Sequence, residues 1–129
     1  MQITLDRLLQ FDINIIDSKI PYIGTYEELR TKPEDYLSML IFSLREILAR
    51  IYDYEAACLY YIGKITAERR ASGQKKLSSS ELDQLKGLQD ALHHKAKALE
   101  QRISQVYLVL NKSRVLQERH IWPVHGTEQ

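Results

Sequence analysis

Four sets of residues in this chain have the types and spacing that chemistry needs. Asp90 and His93 stand three apart, which on a helix places a carboxylate and an imidazole where one divalent metal could hold both. A bundle metal site also needs matching ligands from another segment. Asp53 and Glu55 are candidates there, but no second carboxylate–histidine pair accompanies them. His93 and His94 point about 100° apart on a helix and cannot form a joint site. Arg114 and His120 close the stretch Arg114-Val-Leu-Gln-Glu-Arg-His120. An arginine and a histidine so placed could polarise a phosphate and move a proton at a 2′-hydroxyl. Lys64, Arg69, Arg70, Lys75 and Lys76 form a basic cluster opposed only by Glu68. Such a cluster could contact nucleic-acid phosphates or an acidic protein face, with a strength that falls as salt rises. No aromatic residue is interleaved to stack bases. Cys58 is the lone cysteine. It excludes an internal disulfide and, inside an apolar repeat, reads as a small buried hydrophobe.

The spacing of Arg114 and His120 is similar to the arginine–histidine motif of the helical HEPN ribonucleases. That resemblance implies RNA cleavage, with Arg114 on the phosphate and His120 as the proton carrier. Each pattern also has an ordinary reading: a solvated helix face, a wet turn, or a packed thiol. Those readings leave no catalytic residue, no metal and no cofactor assigned.

The elements that must position these residues are helical. Thr31-Lys32-Pro33-Glu34 reads as a helix start, with threonine as cap, glutamate reaching back and proline in the first turn. Apolar or aromatic residues then recur in alternating steps of three and four: Leu37, Leu40, Leu44, Ile47, Ile51, Tyr54, Cys58, Tyr61 and Ile65. The pattern breaks at Arg69–Lys76, which contains Gly73, a residue suited to a helix C-terminus. Ser78-Ser79-Ser80-Glu81 starts a second arm carrying Leu82, Leu85, Leu88, Leu92, Ala96, Leu99, Ile103, Val106 and Leu110.

Folding the arms back about Lys75 pairs Ile65 with Leu85, Ile62 with Leu88, Cys58 with Leu92 and Ile51 with Leu99. It also pairs Ile47 with Ile103, Leu44 with Val106 and Leu40 with Leu110. Tyr54 then faces Ala96, a large-against-small layer suited to close packing. Gly63 and Gly87 share a layer, as a close backbone approach, a notch, or two tolerated helix glycines. The same facing residues would serve a hairpin within one chain or two chains exchanging arms. The expected fold is all-α: a long antiparallel, coiled-coil-like hairpin with a short N-terminal helix packed on it, a three-helix bundle. The expected limits are one domain over 1–129, with helices at about 4–19, 33–71 and 79–118 and a tail at 120–129.

The bulk numbers agree with this architecture. A chain of 129 residues can bury one core without staples. Three prolines and five glycines permit long helices. Net charge is +1, but residues 1–60 hold ten acids and six bases while residues 61–129 hold seven acids and twelve bases. The balance argues against nucleic-acid binding by the whole chain and leaves the local cluster open. No apolar run is long enough to span a bilayer and no signal peptide is visible, so a cytoplasmic protein without a membrane partner is expected.

The first arm carries more apolar residues than its seam needs. Ile41, Leu48, Tyr52, Leu59 and Tyr60 lie outside it and form a second stripe. The N-terminal helix can cover part of it, and beyond its reach Leu59, Tyr60 and Trp122 would remain exposed, which marks an interface. The expected function is that of a non-enzymatic helical scaffold, adaptor or chaperone-like subunit, binding a partner helix or itself through that stripe. A small nucleic-acid-associated subunit acting through the basic tip is the first alternative, and a HEPN-like ribonuclease the second.

Overall fold

A computed structural model describes residues 2–73 and 79–126, with residues 117–126 described in backbone only. The described chain is helical without strands, and its two long helices pack against each other as the arms of a hairpin. No described helix is long and apolar enough to cross a membrane.

The N-terminal region forms two short helices where the spacing predicted one at 4–19, and a third further on, where Thr25-Tyr26-Glu27-Glu28 is suited to start a turn. Helix α1 (Leu5–Leu9) is capped by Thr4, whose hydroxyl accepts from the Arg7 N–H. The chain then breaks, and α2 (Asn14–Lys19) follows. At the break the Asp12 carboxylate accepts from the Asn14 N–H at 3.0 Å. A short acidic side chain that bonds its neighbour's backbone competes with helix continuation, which is why the apolar pattern runs on while the helix does not. Helix α3 (Tyr26–Arg30) starts with a complete capping box between Thr25 and Glu28.

Helix α4 spans Glu34–Ala71, 38 residues or about 57 Å. Thr31 serves the preceding helix instead of capping this one. Its hydroxyl donates to the Glu28 carbonyl at 2.7 Å, satisfying an acceptor left open at the end of α3. Gly73 follows α4 with φ of +74°, the left-handed conformation that a glycine takes cheaply. The proposed turn centre, Lys75, lies outside the described residues. Helix α5 begins at Ser80, with the Ser79 hydroxyl accepting from the Leu82 N–H at 3.2 Å. It continues to Gly126, through most of the stretch expected to be a tail. The apolar repeat ends at Leu110, so nothing in the spacing foretold that extension.

Among the described residues the chain divides into two compact units. Unit 1 combines the chain up to Ile20 with Ile47–Ala98. Its core holds Leu8 and Ile16 from the short helices, Ile51, Ala57 and Cys58 from α4, and Leu82, Leu85, Leu92 and Ala96 from α5. The first residues are pinned to α4 by the Tyr61 hydroxyl, which donates to the Ile3 carbonyl. Arg7 donates to the Tyr54 hydroxyl, and the Phe11 ring lies 4.6 Å from that of Tyr54. Lys95 of α5 clasps both oxygens of Asp17 at 2.7 Å.

Unit 2 combines Pro21–Glu46 with the chain from Leu99 onward. Leu29, Leu37, Leu40, Ile41, Leu44, Ile103, Val106, Val109 and Leu110 are buried in it. Arg102 donates to the Gly24 carbonyl, and Lys112 reaches the Tyr26 hydroxyl at 3.1 Å.

Bonds between the arms test the register apart from burial. Position 55 was expected to face position 95, and Glu55 is bound to His93, two residues away. Arg45 was expected to face position 105 and bonds Tyr107; Glu34 was expected to face 116 and holds Arg114. These three pairs sit two residues from the predicted facing position, whereas a fourth, Glu55 with Gln89, sits six residues from it. Tyr54 and Ala96, the large-against-small layer, are half-buried and buried within unit 1.

Candidate interaction surface

On α4 within unit 1, Leu48, Tyr52, Glu55 and Leu59 follow one another at steps of four, three and four, which puts them in one stripe along the helix. At about 100° per residue this stripe lies roughly 100–160° around the helix from Tyr54. Tyr54 and Tyr61 are where the N-terminal segment is anchored, so that segment occupies a different side of α4. Leu48 and Tyr52 are half-buried, whereas Leu59 is 53% exposed. Tyr60 is 48% exposed, sits off the stripe, and stacks edge-on against Tyr61 at 5.0 Å. Ile41, expected on the same stripe, is only 5% exposed and belongs to the core of unit 2. Five residues read as one surface therefore divide into a buried one, two half-buried ones and two exposed ones.

The stripe has a polar centre. Among the described residues Glu55 is the only charged or polar side chain that is buried, at 8% exposure. Its Oε2 accepts from the Gln89 amide at 2.8 Å and lies 3.1 Å from His93 Nδ1, so both partners come from α5. A buried carboxylate needs such partners, because burying one without them is strongly unfavourable. Cys58, one helical turn further on, is fully buried. Burial pushes its thiol up to about 11, and the charge of Glu55 adds to the effect.

Glu55 and His93 resemble the carboxylate–imidazole half of a nucleophilic triad. The neighbouring thiol does not complete it, since a buried and protonated cysteine is a poor nucleophile. Asp90 and His93, whose spacing could serve one metal, turn to different partners. His93 turns to Glu55, while His94 Nδ1 lies 2.8 Å from the Asp90 carbonyl oxygen and donates to it. Among the described residues no three histidine, cysteine or acidic side chains are grouped to hold a metal ion.

The remaining candidates are dispersed. At the end of α4, Lys64 and Arg70 are exposed and Arg69 is half-buried; Lys75 and Lys76 lie outside the described residues. Arg114, of the ribonuclease-like pair, donates to Glu34 at 3.1 Å in unit 2. The side chains of His120 and Trp122 lie outside the described residues. Gly63 and Gly87 meet nothing: a Cβ built on either finds open space, so the chain makes no close backbone approach there. Gln89 was missed by sequence reasoning, since the facing position for residue 55 is 95 and Gln89 lies six residues from it.

Compared with protein-family models, curated proteins and solved structures, the chain matches none.

Proposed function

We propose that this chain is a non-enzymatic helical interaction subunit, a scaffold, adaptor or chaperone-like component. It binds a partner helix, or a second copy of itself, through the unit 1 surface of Leu48, Tyr52, Leu59 and Tyr60. The observation that carries this reading is Leu59, 53% exposed beside the 48% exposed Tyr60 on a long helix whose N-terminal partner occupies another side. Two large adjacent apolar side chains in water favour association, since each regains roughly 1–2 kcal/mol when covered. Leu48, Tyr52 and Leu59, spaced four and seven on one helix, also match the anchors a partner helix reads. The polar groups nearby support the same reading, because Glu55 is consumed by Gln89 and His93 and Cys58 is sealed in the core.

Light scattering across a concentration series tests it, alongside binding of an apolar dye. The expected result is concentration-dependent association or dye binding, lost in the Leu59→Glu, Tyr60→Glu variant while the thermal midpoint stays within a few degrees. A clean monomer at every concentration, with no dye bound, would overturn the reading.

A further inference from the structure

Through its middle the seam between α4 and α5 repeats every seven residues, so aliphatic burial there hardly distinguishes one alignment from the next, although nearer the turn a one-heptad slide would bring Glu81 to Ile62. Sliding α5 by one heptad in one direction would set Cys58 against Leu85 and Ile51 against Leu92, again apolar on apolar. Glu55 does distinguish the alignments. In the observed one its carboxylate has the Gln89 amide at 2.8 Å and His93 Nδ1 at 3.1 Å. After that slide the same places would be held by Leu82 and Lys86, and a leucine would displace the amide donor beside a buried carboxylate. Sliding the other way would bring Ala96 and Glu100, removing the donor and adding a like charge.

We infer that Glu55, held by Gln89 and His93, is the positioning residue that sets the register of α4 against α5. A polar group inside an apolar helical seam favours the alignment that satisfies it best, at some cost in stability. The slide to Leu82 and Lys86 removes the amide donor and leaves a lysine alone, and the slide to Ala96 and Glu100 removes every donor. The selection acts on which arrangement forms more than on how strongly the arms adhere. Removing the polar set therefore frees the alignment while leaving the helices intact. The slide toward Leu82 and Lys86 is the one released first, since a leucine at position 55 would then pack on Leu82.

Paired spin labels read the alignment directly. Cysteines replace the exposed Ala49 and Gln84, both in unit 1, in a Cys58→Ala chain, and labelled protein is diluted with unlabelled chain so that only distances within a molecule are seen. The axial offset of the pair is about 25 Å in the observed register and about 15 Å after a one-heptad slide, from the 1.5 Å rise per residue. With Glu55 present a single distance is expected. In Glu55→Leu a second, shorter distance is expected, with helical content kept and a thermal midpoint equal or higher. If that variant loses helicity, the Glu55→Leu, Gln89→Leu, His93→Leu chain, which leaves no polar group unpaired, is read the same way. The original distance alone in the helical variant overturns the inference, and so do two distances in the chain that retains Glu55.

Discussion

Cys58 joins burial to reactivity at a single residue. With its thiol pushed up to about 11 by burial and by Glu55, it stays protonated in the folded chain. Alkylation near neutral pH should then be slow in native protein and fast in denatured protein, as a time course of mass shifts would show. The same displacement sets a sign. Above the ordinary thiol value of 9.0 the unfolded chain loses its proton first, so folding stability falls as pH rises from about 9 to 11. Denaturation curves of wild type and Cys58→Ala should differ in slope across that window and run parallel below it. Glu28 gives the opposite sign. The Thr25 N–H, and then the Tyr22 hydroxyl, hold its carboxyl below the ordinary value, so its contribution is present at neutral pH and lost on acidification. Cys58 as a packed thiol was legible from its place in the repeat. The burial of Glu55 was not, because an acid flanking a seam looks the same in sequence whether it points to water or across to a glutamine.

The long helices were legible because a repeat filled at every position leaves few competing arrangements. The short ones were not: breaking α1 from α2 depends on one Asp12 hydrogen bond, and Thr31 is equally suited to closing α3 or opening α4. Glycines test the elements most directly. Gly63 and Gly87 lie inside α4 and α5 with open space around the missing Cβ, so Gly63→Ala and Gly87→Ala should each raise stability by about 1 kcal/mol in urea titrations. A loss on either change would mean that another chain approaches the helix there. Gly73 is the contrast. It also has room, but its φ of +74° strains any side chain, and Gly73→Ala should cost about 1 kcal/mol. At α3, Thr25→Ala removes a cap worth about 1 kcal/mol, visible as faster amide exchange over Tyr26–Arg30.

For the molecule as a whole, net charge is +1, so two copies repel each other weakly. Association through Leu59 and Tyr60 should then persist from low to high ionic strength in light scattering. Steep weakening with salt would shift the contact to the charged end of α4. The division into two units was not legible in the sequence. The heptad pattern runs through it without a break, and the division comes from where the short N-terminal segments dock, which local periodicity does not encode. Neither unit is continuous in the chain: each joins an early stretch to a late one. During synthesis, then, nothing emerging before the second arm has a finished core to join. Unit 1 can close only once Ala98 has left the ribosome, and unit 2 only after that. The helices α1 to α3 and the whole of α4, with its apolar side uncovered, must wait in the cell for a strand of protein not yet made.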